Sequence, residues 1–278
     1  MAQEMKRSEE SGTLTAFTAL APLSVGGLVG LLMAQGFRME TGINWAAIIV
    51  FATGLLALGA SVFHLGRPWR APLALLRLKT SWLSREVLFF GLFLLILVSY
   101  AILPVLKLGI LARYLTGLSA AIIGLVGTFA TGETYRLHAR PAWDQWLAVA
   151  SFPLEALSAG SLFGFFLARQ AAGHLVPANY AWIASSVFLA AAFVLTWLRS
   201  MTSHLETPEG RHSRQLVLGP YFWLLVLRVT AAVIALVMIG MGGEVQFLCW
   251  VPAFLGEVAD RILFFNTVVP VTLRGRYA

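Results

Sequence analysis

Long apolar runs alternate with short polar breaks along nearly the whole chain. A membrane-spanning helix needs about 20 mostly apolar residues, because it crosses about 30 Å of hydrocarbon at 1.5 Å per residue. Eight stretches meet that length: 14–34, 44–64, 86–106, 111–132, 145–168, 179–199, 218–241 and 244–267. Each is apolar on all sides, which excludes the alternating strands of a membrane barrel. The pattern predicts an all-α integral membrane protein, a bundle of eight transmembrane helices with both termini on the same face. It forms a single transmembrane domain over 1–278, with a short polar N-terminal tail, 1–13. No small-residue cleavage site stands out after the first run, which reads as a retained helix and not a removed signal peptide.

Composition supports lipid as the solvent. The chain is 59% hydrophobic and 12% charged, where soluble domains are about a quarter charged. The net charge of +7 reads as basic loops that orient the protein and touch anionic headgroups. The single cysteine, Cys249, excludes an intrachain disulfide and a cysteine-ligated zinc or iron–sulfur site within this chain.

Two loops are longer than the rest, 65–85 and 200–217. The first carries Arg67, Arg70, Arg77, Lys79 and Arg85 with Pro68 and Pro72 and no acid. With eight crossings, both loops and both termini share one face. That face carries roughly threefold more Lys and Arg than the other, where Arg38, Lys107, Arg113 and Arg169 fall. The positive-inside rule makes such a face cytoplasmic. A basic face is also what a docking surface for an acidic partner would look like.

Ionisable residues inside spans are costly and mark function by default. Arg228, Glu257, Asp260 and Arg261 lie ~9–15 Å from the basic face by helical rise. Glu257 and Arg261 are four apart and can pair along one helix. A Gly242–Gly243 turn makes the last two spans neighbours, so Arg228 can reach Glu257 at similar depth. Arg228, Glu257 and Arg261 are therefore candidates for a structural ion pair. Glu155, beside Pro153, suits either a proton-relay carboxylate or a kink partner.

A second group gathers where spans two, three and four meet the basic face: His64, Glu86, Glu133, Tyr135, Arg136 and His138. A histidine and carboxylates at the lip of an apolar cavity suit quinol oxidation, which releases two protons with two electrons. Interfacial residues and helix caps are the blander reading. Ser84 would start the third helix, and Glu86 in its first turn would suit the helix dipole. Haem is disfavoured, because none of His64, His138, His174, His204 and His212 lies mid-span where a bis-histidine haem sits. No metal site is expected.

The segments His64-Leu65-Gly66-Arg67-Pro68-Trp69-Arg70-Ala71 and Ser81-Trp82-Leu83-Ser84-Arg85-Glu86 resemble the dimethyl sulfoxide reductase membrane-anchor subunit family. Arg140-Pro141-Ala142-Trp143, Arg228, Gly256-Glu257 and Arg261 extend the resemblance over essentially the whole chain. It implies the anchor of a heterotrimer with a molybdopterin catalytic subunit and an iron–sulfur subunit, in the bacterial cytoplasmic (inner) membrane. The anchor would oxidise menaquinol and pass electrons to the iron–sulfur partner, and would hold no haem and no cluster of its own. Positions matching His64 and Glu86 are implicated in quinol binding. Arg67, Glu133, Tyr135 and Arg136 join them on chemical grounds. The end of span four is more charged here than in the best-known members. The family's catalytic subunits carry export signals, which conflicts with a cytoplasmic basic face, so sidedness stays open. A secondary transporter or proton-conducting subunit is the competing reading, carried by Glu155, Arg228, Glu257 and Asp260.

Overall fold

The computed structural model describes residues 2–35, 44–63, 73, 75–107, 109–172, 179–202 and 206–271. His64 and Arg67, with the rest of the 64–71 motif, lie outside the described residues, as do His174 and His204. Everything described is helix, turn or coil. The helices are α1 (Ala2–Gln35), α2 (Trp45–Phe63), α3 (Trp82–Ile102), α4 (Ile110–Tyr135) and α5 (Trp146–Glu155). They continue as α6 (Ser161–Ala172), α7 (Asn179–Thr202), α8 (Pro208–Leu218), α9 (Phe222–Met241) and α10 (Trp250–Asn266). Among the described residues, seven helices are long and apolar enough to cross a membrane, with α5 and α6 counted as one continuous crossing.

The eighth expected span differs. It breaks into a 3₁₀ turn, Val245–Leu248, and the 17-residue α10, which carries Glu257, Asp260 and Arg261. Those charges lower its apolar content, and all three are fully buried within the bundle. The polar segment expected as a tail is the first part of α1. Its Gln, Glu, Met, Lys and Arg residues are good helix formers, and the helix runs on through Ser8, Ser11, Gly12 and Thr13.

Helix ends also shift from expectation. The third helix begins four residues before Glu86, because Ser81 is its N-cap and accepts a hydrogen bond from the Ser84 amide (3.3 Å). Ser81, not Ser84, therefore starts the helix. Glu86 then sits one turn inside it. α4 runs on through Glu133 and Tyr135, with Arg136 as its C-cap. The loop before α9 holds α8, whose polar residues mask its helical period in a search for apolar runs.

Two crossings form the centre. In α1 and in the α5–α6 crossing, 72% of the spanning window is buried, against 28–39% in the others. They approach backbone to backbone through small residues four apart. A Cβ on Gly26 would lie 1.8 Å from the Ala156 carbonyl oxygen, and one on Gly164 would lie 2.3 Å from the Gly27 carbonyl oxygen. This is the small-xxx-small packing of membrane helices, in which van der Waals contact replaces the missing hydrophobic drive.

The central crossing is not a regular helix. Pro153 lies inside α5, and a π-helical turn, Ala156–Gly160, separates α5 from α6. Proline removes one ladder hydrogen bond, and a π-turn widens the backbone by one residue. At the far end of α9, Gly242 and Gly243 both have positive φ (68° and 64°), a conformation that glycine adopts without a Cβ clash. That turn folds α10 back along α9.

Candidate functional site

α3 and α4 pack antiparallel over their whole length, so the start of one meets the end of the other. There the Glu86 carboxyl, only 4% exposed, accepts a hydrogen bond through Oε1 from the Thr131 hydroxyl at 2.9 Å. The same hydroxyl is 3.2 Å from the Gly127 carbonyl oxygen, four residues back on its own helix. A buried carboxyl needs such partners, because an unsatisfied one costs several kcal/mol (roughly 2–7). Arg85, next to Glu86, points elsewhere: its Nε and Nη2 donate to the Leu78 and Lys79 carbonyls (2.9 and 3.0 Å), and its guanidinium lies 4.2 Å from the Trp82 ring centre. It clamps the loop end.

The other lip residues follow α4 outward. Glu133 is buried and pairs with Arg136 at 2.9 Å. Arg136 lies 4.4 Å from the Trp146 ring centre and 3.8 Å from Asp144. His138 is nearly fully exposed and sits 3.2 Å from Asp144. Tyr135 turns inward: its ring stacks on Phe152 at 5.9 Å and meets Trp143, Phe264 and Phe265 edge-on at 5.3–5.7 Å. Trp143 donates through Nε1 to the Phe264 carbonyl (2.8 Å), which fastens the 136–145 turn to the end of α10. Tyr135 thus belongs to an aromatic wall. It lies within electrostatic reach of both Glu86 and Arg261.

Behind that wall is a second constellation, wholly interior. Arg261 donates through Nε to Glu155 (2.9 Å) and through Nη2 to the Ser151 hydroxyl oxygen (3.1 Å), and it covers the Phe152 ring at 3.7 Å. Arg199 of α7 donates to Asp260 (2.6 Å) and reaches the same Ser151 oxygen at 3.5 Å. Glu257 accepts from the Ser158 hydroxyl (2.8 Å) and from the Ala159 amide (3.3 Å), both on the π-turn. With Arg228, the three guanidiniums and three carboxyls balance in formal charge, and all six are buried.

The expected pairings differ here. Arg261 bonds Glu155 across the helix interface, and Glu257, four residues before it, is satisfied by the π-turn instead. Arg228 is 1% exposed and its three guanidinium nitrogens have no hydrogen-bond partner. It lies beside Gly256, where a Cβ would be 3.1 Å from its Nη1. Arg228, Glu257 and Arg261 are thus brought into one cluster without bonding one another. Glu155 and Ser158 complete it. The sequence offers Glu155 only as a relay or kink partner, and it shows Arg199 as a loop-end charge and Asp260 as a neighbour of Glu257 and Arg261.

Residues 5–237 match the sequence profile of the DMSO reductase anchor subunit (DmsC) family. The chain belongs to that family. It is 27% identical over 161 residues to the C component of the anaerobic dimethyl sulfoxide reductase of Haemophilus influenzae, a match covering 55% of this chain and 57% of that protein. It is 29% identical over 156 residues to the C component of the sulfite dehydrogenase of Allochromatium vinosum, covering 52% of this chain and 46% of that protein. The chain spans about half the length of the curated relatives it matches. As a DmsC-family chain it is a multi-pass membrane protein of the anchor type. The family match ends before α10, so the residues 257, 260 and 261 lie outside it, whereas Glu86, Thr131, Glu133, Tyr135 and Arg136 lie within it.

Among the described residues, no group of three His, Cys, Asp or Glu side chains is arranged to hold a metal ion. What the lip can do is acid–base chemistry. It offers a buried carboxyl fixed by a hydroxyl, at the bundle end where α2 leaves for the 64–71 motif. No motif marks Thr131 in the sequence; its position four residues before Tyr135 puts it on the same side of α4.

Proposed function

We propose that this chain is the quinol-oxidising membrane anchor of a molybdopterin oxidoreductase complex in a bacterial inner membrane. The observation that carries the reading is the buried Glu86 carboxyl bound to Thr131 at the junction of α3 and α4, in a chain of the anchor family. The last spans complete eight crossings with both termini on the Glu86 side. The apolar tail of a quinol lies in the bundle, and its ring lies at the lip.

One quinol hydroxyl gives its proton to Glu86, whose Oε1 is held by Thr131 so that the carboxyl has one fixed orientation. His64 hydrogen-bonds the other quinol oxygen and takes its proton. Two electrons leave for an iron–sulfur partner subunit and then the molybdopterin subunit, and quinone remains. Arg67 and the Glu133–Arg136 pair supply the polar rim, and Tyr135 closes the inner wall. One relative is named as part of a reductase and the other as part of a dehydrogenase. The same site run in reverse, reducing quinone, serves a complex of the second kind.

The test is binding of a fluorescent quinol-site inhibitor to the purified complex. Wild type binds one per anchor. His64→Ala and Glu86→Gln lose binding at least about tenfold while the partner subunits stay attached. Unchanged binding in both variants contradicts the site.

The competing proton-conducting reading rests on the broken central helix and the buried charges around it, features also found in transporters. It requires that the full chain in vesicles leak protons and that Glu257→Gln stop the leak. The anchor reading requires tight vesicles.

A further inference from the structure

α8 presents two different sides. Gly210, Ser213 and Val217 are buried, and the Ser213 hydroxyl oxygen accepts from the Val269 amide (3.1 Å), which fixes the helix against the end of the bundle. Arg211, Arg214, Gln215 and Leu218, spaced i, i+3, i+4, i+7, line the outer side with Gly219 around a groove of about 580 Å³. That is the size of a small-molecule pocket. The Arg214 Nε is buried without a hydrogen-bond partner. Of the acids of this segment, Glu209 lies in the first turn of α8, where it suits the helix dipole, and Glu206 precedes the Thr207 cap, its carbonyl oxygen 3.4 Å from the Arg211 Nη1.

Apolar surface begins where the groove ends. Leu218, Phe222, Trp223 and Val226 are 43%, 48%, 60% and 43% exposed and lead from the groove onto the first turns of α9. An exposed tryptophan at the start of a span marks the membrane interface. A soluble anion would use the guanidiniums and leave this surface idle. A ligand matching both parts has a negative head and an apolar tail.

We infer that α8 and the start of α9 bind one anionic phospholipid, its phosphate between Arg211 and Arg214 and one acyl chain along Leu218, Phe222 and Val226. The site lies outside the quinol lip and does not depend on it.

Native mass spectrometry of the full chain with its partner subunits tests this, with phosphatidylglycerol or phosphatidylcholine added in equal amounts. Wild type retains one phosphatidylglycerol in preference to phosphatidylcholine. Arg211→Gln/Arg214→Gln loses that preference by about 5-fold per guanidinium, the usual strength of one cationic side chain near an anionic surface. Arg211→Lys/Arg214→Lys keeps most of it, which separates charge loss from misfolding. Equal retention of the two lipids by wild type, or unchanged retention of phosphatidylglycerol in the glutamine variant, overturns the inference. So does loss of the partner subunits from that variant with the lipid still bound, which would make the patch a protein-docking surface.

Discussion

Thr131 is the residue whose role is simplest to isolate. Its hydroxyl holds Glu86 Oε1 at 2.9 Å in a buried place, and Val replaces it with nearly the same shape and no donor. A hydrogen bond to a charged group contributes about 1.5–3 kcal/mol, so Thr131→Val should lower quinol affinity by roughly 10- to 100-fold with assembly intact. Inhibitor titration reads this directly; an unchanged dissociation constant would remove Thr131 from the site. In the interior cluster, breaking one partner of a buried ion pair costs about 3–5 kcal/mol, whereas removing both costs far less. Glu155→Gln and Arg261→Met should therefore each destabilise the detergent-solubilised chain strongly, and the double variant should recover a large part. A double variant showing the simple sum of the two losses would mean that the Glu155–Arg261 bond is not the coupled unit.

At the scale of elements, the central crossing explains both the shape of the bundle and the position of the charges. Gly26 and Gly164 let α1 lie against the α5–α6 backbone, and the π-turn between α5 and α6 turns the Ala159 amide toward Glu257. Gly164→Leu should push these helices apart. The chain should then lose its cooperative thermal transition in detergent, or yield to protease between α5 and α7, while Gly91→Leu, at an open position, should not. Apolar run length located most of these helices, because lipid demands it. It misplaced their ends, which depend on single residues such as the Ser81 cap. It also hid α8, whose stability comes from one buried stripe in a polar sequence. The last span was legible by length, but its break into a 3₁₀ turn and a charged helix was not. Nor were the partners of Arg261 and Glu257, because those lie about a hundred positions away and depend on the π-turn.

For the whole molecule, the sequence already pointed to asymmetry. The contacts give it form: the Glu86–Thr131 bond and, one turn further out on α4, the aromatic wall of Tyr135 lie at one end of the bundle, with the balanced charge cluster behind the wall. The family match makes this chain an anchor, and the proposed quinol site lies at this lip. In the proposed function Glu86 takes a proton from quinol there. Single-turnover reduction of the partner's iron–sulfur clusters by menaquinol, followed in wild type and in Glu86→Gln of the intact complex, tests it most directly. The rate should fall roughly 10²- to 10⁴-fold, the usual worth of a positioned acid–base group, with clusters still reducible by dithionite. A variant that reduces its clusters from menaquinol at the wild-type rate would contradict it.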